Sequence, residues 1–122
     1  MAIDYTIEGM TLAVHQMDKM IQFYSNVFNI QFEAKEMFDN TLYSGTWGDL
    51  KVLFCPAELA GNEARQNRHQ FDIITTNLEG CIDNVKMNGG SLMGEISEDD
   101  NMKSIGIYDP DHNSIVLKQP KG

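Results

Sequence analysis

The chain has 122 residues, 42% of them hydrophobic and 22% charged, with a formal net charge of −9. This is the composition of a globular protein long enough to bury a core. The acidic balance disfavours nucleic acid and anionic membranes as partners, because their phosphates would be repelled. No apolar run approaches the roughly 20 residues of a membrane helix.

The first eight residues lack the basic flank and apolar run of a signal peptide, so a cytoplasmic location is expected. Tyr5 and Ile7 form a short lead-in. Met10, Leu12 and Val14 then alternate with Thr11 and Ala13, the period of a strand with one face on a core. The period changes at once. Met17, Met20, Ile21 and Tyr24 fall at i, i+3, i+4 and i+7, one face of a helix that ends near Phe28. Gln16 stands at its N-cap, where it is a poor choice. Three strands are expected next: Ile30 to Met37, Thr41 to Trp47 and Lys51 to Cys55. Turns at Asp39-Asn40 and Gly48-Asp49 separate them, and Pro56 stops the last. Residues 57–68 are polar and without period, and read as a connector.

The design then returns. Phe71, Ile73 and Thr75 alternate, and Leu78, Cys81, Ile82 and Val85 repeat the helical spacing, each 61 residues after its counterpart. Asn77 is a good N-cap and Gly89-Gly90 a stop signal. Strands are expected at Ser91 to Ser97, Lys103 to Tyr108 and Ser114 to Lys118. Asp109-Pro-Asp-His-Asn113 makes the last turn. The order is strand, helix, three strands, twice. The expected organisation is one domain over 1–122, with module one at about 5–56, the connector at 57–68 and module two at about 69–119. Cys55 and Cys81 have no metal-finger spacing, and Cys81 lies on an apolar helix stripe.

The order, the length, Thr-Leu-Ala-Val followed by Phe23-Tyr24, the Gly89-Gly90 pair and Asp109-Pro-Asp-His-Asn-Ser-Ile resemble the glyoxalase / bleomycin-resistance / extradiol-dioxygenase (vicinal oxygen chelate) superfamily. These are scaffold motifs and specify no single activity. The resemblance implies an α+β fold: two βαβββ modules in tandem, with cupped, mostly antiparallel sheets and a helix on the outer face of each. It also implies a homodimer, a cavity enclosed by two concave sheet faces, and four metal-ligand positions in enzymes of the family. Those positions are the start of each module's first strand and the middle of each module's last strand.

Strand parity places Gly9, Leu53, Gln70 and Val116 at those positions. His69 competes with Gln70. Turning His69 inward would press Asp72 unpaired against the helix, at a cost of several kcal/mol, roughly, so Gln70 is preferred unless a bulge intervenes. One usable donor does not hold a divalent ion, so no metal and no cofactor are expected. The expected ligand-binding cavity is lined by Thr11, Tyr43, Trp47, Leu53, Cys55, Gln70, Asp72 and Val116. From the middle strand, Leu42, Ser44 and Thr46 are the alternative to Tyr43 and Trp47. Such a lining suits a small organic molecule. The sequence therefore points to a metal-free small-molecule-binding protein. A divergent enzyme with displaced ligands and a purely protein-binding role remain as alternatives.

Overall fold

A computed structural model describes residue 4 and residues 7–61 and 64–122. Tyr5 of the lead-in and residues 62–63 of the connector lie outside the described residues.

Module one contains β1 (Gly9–Val14), α1 (Met17–Phe28), β2 (Glu33–Met37), β3 (Asn40–Trp47) and β4 (Leu50–Pro56). Its sheet has the order β1-β4-β3-β2, with β1 and β4 parallel and the other pairs antiparallel. Module two contains β5 (Phe71–Ile74), α2 (Leu78–Met87), β6 (Ser91–Leu92), β7 (Ser97–Glu98), β8 (Met102–Tyr108) and β9 (Ser114–Pro120). Its sheet runs β5-β9-β8-β6, with β5 and β9 parallel and β7 also paired to β8. The parallel pair in each module follows from the helix, which carries the chain from one sheet edge back across the sheet.

Two expectations are corrected. The strand expected over Ser91 to Ser97 is two short pieces, β6 and β7. Between them the Met93 amide donates to the Gly106 carbonyl at 2.9 Å, and the Met93 side chain lies over Gly106, where a Cβ would meet its sulfur at 2.8 Å. The first hairpin turns one residue earlier than expected. Met37 pairs with Asn40, which leaves Phe38 and Asp39 as a two-residue turn, both at positive φ (53° and 60°). That is the mirror-image turn that matches the twist of a hairpin, here made without glycine.

Each helix end has a local cause. Asn29 closes α1 in the left-handed conformation. Gln16 makes no side-chain cap. Asp111, from the turn before β9, supplies it instead. Its carboxylate accepts from the backbone amides of His15 at 2.7 Å and Gln16 at 3.0 Å. At the start of α2, the Asn77 side chain accepts from the Gly80 amide at 3.0 Å, and Gln119 accepts from the Leu78 amide at 2.7 Å.

The two modules share one core. Leu12, Val14, Val52 and Phe54 of the first sheet, Ile105, Ile107, Ile115 and Leu117 of the second, and Met20, Phe23, Tyr24, Leu78, Ile82 and Val85 of the helices form a single buried cluster. Trp47 packs tilted against Phe71 across the modules, with ring centroids 4.7 Å apart. Asp109 seals the joint from within. It accepts from the Tyr24 hydroxyl at 2.8 Å, from the Asn113 side chain at 2.9 Å, and from the amides of Asp111 and Asn113 at 2.9 Å each. A buried carboxylate is tolerable when its lone pairs are taken in this way. Because both sheets turn their helix-side faces to this common core, each turns its other face away from it.

Candidate functional site

The outward face of each sheet is set by strand parity. In the first sheet Gly9, Thr11 and Ala13 of β1 stand opposite Lys51, Leu53 and Cys55 of β4. Next come Thr46 and Ser44 of β3, then Glu33 and Lys35 of β2. One row across the four strands therefore reads Thr11, Leu53, Ser44, Glu33, and the row beside it reads Gly9, Lys51, Thr46. These residues line an open groove of about 1000 Å³, bounded also by Glu8, Asn29 and Gln31. Every residue lining it belongs to module one.

In the second sheet the outward face carries Asp72 and Ile74 of β5 and Ser114, Val116 and Lys118 of β9. Tyr108, Gly106 and Ser104 of β8 complete it. Gln70 precedes β5 on the same side, and its amide donates to the Ser114 hydroxyl at 3.0 Å. Asp72 and Lys118 form a loose ion pair at 3.8 Å. Ile74 is 69% exposed and Met93 44%, so this face is more apolar than the groove of the first sheet.

Thr11 and Leu53 line the groove of the first sheet. Gln70, Asp72 and Val116 lie together on the outward face of the second sheet, apart from that groove. His69 is half-buried, its ring edge-on to Phe71 at 4.8 Å, and burial holds its pKa below the usual histidine value. The β5 register runs unbroken from Phe71 to Ile74, and the bond from Gln70 to Ser114 puts Gln70 on the outward side.

Three expected cavity residues stand elsewhere. Tyr43 pairs with Phe54 and so shares its helix-facing side. Trp47 pairs with Leu50 and packs its ring against Tyr24 (5.2 Å), Phe28 (5.1 Å) and Phe71 (4.7 Å). Both are core aromatics, and the middle strand offers Ser44 and Thr46 to the groove in their place. Cys55 has the outward parity but is only 6% exposed, and burial pushes its thiol pKa up, away from the thiolate that reacts or binds metal. The expected lining missed Lys51 and Glu33. The signal for Lys51 was its place opposite Gly9, two residues before Leu53.

The metal-ligand positions can be tested against the side chains present. Leu53 and Val116 have no donor atom, and Gln70 offers an amide already bonded to Ser114. At Gly9 the backbone itself excludes a ligand. A Cβ there would lie 2.5 Å from the Lys51 carbonyl oxygen and 2.9 Å from the Lys51 Cβ. Among the described residues no three His, Cys, Asp or Glu side chains gather in a metal-binding group. This donor set does not fit a divalent ion.

No curated protein matches the chain. Solved structures do, over nearly its whole length. A hypothetical protein, SA1046, from S. aureus is 12% identical, with a TM-score of 0.77 over 97% of this chain and 95% of that one. The fosfomycin resistance protein FosX from Listeria monocytogenes is 15% identical, with a TM-score of 0.77 over 98% and 96%. FosX from Mesorhizobium loti is 16% identical, with a TM-score of 0.73 over 98% and 95%. At these identities the likeness is one of fold. The sequence model of the Glyoxalase/Bleomycin resistance protein/Dioxygenase superfamily matches residues 3–117. With the two strand-helix-strand modules and their paired mixed sheets, this match establishes that the chain belongs to the glyoxalase/bleomycin resistance/dioxygenase superfamily.

Proposed function

We propose that the protein is a metal-free small-molecule-binding member of its superfamily, acting in the cytoplasm as a homodimer. The observation that carries the reading is the identity of the four ligand positions: Gly9, Leu53, Gln70 and Val116. Three have no donor side chain, and one of those three has no room for a side chain at all. What is left in the groove is a mixture of hydroxyls, an apolar patch at Leu53 and a few charges. Such surfaces bind modest organic molecules through apolar contact and a small number of directed hydrogen bonds. One Listeria FosX structure holds Mn(II) and sulfate. The lack of donors at Gly9, Leu53 and Val116 is the reason that metal chemistry is not carried over to this chain.

The direction of the outward faces supports the dimer. The groove of the first sheet is open, and the shared core keeps the second sheet's outward face from closing over it. A second copy would cover it, laying its module-two face, with Gln70, Asp72 and Val116, over Thr11, Leu53 and Ser44. Thr11, Leu53, Gln70, Asp72 and Val116 would then share one cavity across two chains.

Metal analysis of protein purified without chelator tests the first point. Substoichiometric metal is expected, and stoichiometric zinc, nickel, iron or manganese would overturn the reading. Light scattering at micromolar concentration tests the second. Twice the chain mass is expected, and a monomer would refute the composite cavity.

A further inference from the structure

Lys51 stands at the one point of the groove where the family's first ligand side chain would begin. The ideal Cβ of residue 9 and the real Cβ of Lys51 would be 2.9 Å apart, so Lys51 begins in the space that a side chain at residue 9 would need. Its row neighbour on the other side is Thr46, and Thr11 and Ser44 flank Leu53 in the adjoining row. Lys51 pairs with no carboxylate among the described residues, whereas Lys118 and Lys121 each do.

The charge distribution agrees. Glu8, Glu33 and Asp72 are the carboxylates of the groove and the outward faces, and Lys35, Lys51 and Lys118 are the ammonium groups. The two sets balance. The whole chain carries 18 acidic residues against 9 basic ones, a surplus that these surfaces do not share among the described residues. An acidic protein that keeps its groove neutral, with Lys51 on the floor and no carboxylate paired to it among the described residues, is not arranged to attract a cation.

We infer that the groove takes an amphipathic organic anion, its oxyanion group bound by the Lys51 ammonium and the hydroxyls beside it, its apolar part against Leu53. The inference rests on the metal-free reading, since a lysine here supplies the positive charge that a bound ion would otherwise bring. Lysine suits the task as a compact charge with three donors on a flexible stem. A carboxylate and a phosphonate share this chemistry, and the test separates them.

Four probes of six carbons each carry different head groups: hexanoate, hexylphosphonate, hexanamide and hexylammonium. Each is titrated into the full-length protein while backbone amide resonances are followed by NMR. An anion is expected to shift Gly9, Thr11 and Leu53 more than the amide does, and hexylammonium least. Whichever of hexanoate and hexylphosphonate binds more tightly identifies the head group. Lys51→Met should weaken the anion about tenfold and leave hexanamide unchanged, while Lys51→Arg should restore most of the affinity. Lys51 is exposed, and the amide spectrum of each variant verifies its fold. Equal binding of amide and anion, insensitive to Lys51→Met, would overturn the inference while leaving the groove a binding site. A preference for hexylammonium, or no shift in the groove with either anion, would also overturn it. Stoichiometric metal in the purified protein would instead remove the reading on which it rests.

Discussion

The Tyr24 phenol sits in the core with its hydroxyl 2.8 Å from the buried Asp109. Tyr24→Phe would leave Asp109 one donor short in a buried place. A loss of about 1–3 kcal/mol is expected from urea unfolding, the range for a buried polar group deprived of its partner. Burial first, then the Asp109 and Asp111 charges, push the Tyr24 pKa well above its ordinary value. A group whose folded pKa is raised stabilises fully below the unfolded pKa, about 10 for tyrosine, and that stability is lost as pH climbs through the folded value. Alkali should therefore loosen this joint. Unfolding free energies measured from pH 8 to pH 11 should fall more steeply in the wild type than in Tyr24→Phe. Parallel curves would show that the phenol does not ionise on unfolding. Gly9 is a second residue with a measurable cost. Gly9→Ala must push β1 away from the Lys51 carbonyl, and a loss of about 1–3 kcal/mol is expected, as for other overpacked sites. An unchanged unfolding midpoint would mean that the strand edge yields freely.

Among the elements, α1 begins where its own sequence gives it no cap, and Asp111 of the other module serves. Asp111→Ala should cost about 1–2 kcal/mol, as for a lost N-cap, and should speed hydrogen exchange at His15 and Gln16. Asn77→Ala, which removes a cap inside one module, should cost about 1 kcal/mol and leave exchange at His15 unchanged. Equal exchange at His15 in both variants would show that Asp111 does not hold the entry to α1. The strands teach a related lesson about what a sequence reveals. The 61-residue repeat and the parity of β1, β4, β5 and β9 were plain in the alternation of large apolar residues. The parity of β3 was not, because Tyr43 and Trp47 suit a cavity as well as a core. The turn at Gly48 and Asp49 contained the answer. It pairs Trp47 with Leu50, and Leu50 shares a face with Val52 and Phe54. Lys51 was passed over for another reason. Its meaning lies in the gap left by Gly9, which is a property of two strands side by side. The division of β6 from β7 depends on Met93 reaching Gly106, a contact that no local pattern encodes.

At the scale of the molecule, the repeat has lost its independence. Helices from both copies, an aromatic contact and a buried carboxylate join the halves into one core. No helix among the described residues is long and apolar enough to cross a membrane. Expressing residues 1–61 and 64–122 as separate chains would bare Phe23, Tyr24, Leu78 and Val85 to water on the isolated pieces. Neither fragment should be soluble by itself, and the two should recover native circular dichroism only when mixed. A duplication that began as two copies has in this way become indivisible. Any ancestor with a single copy would have needed a twin to shelter the same apolar surface.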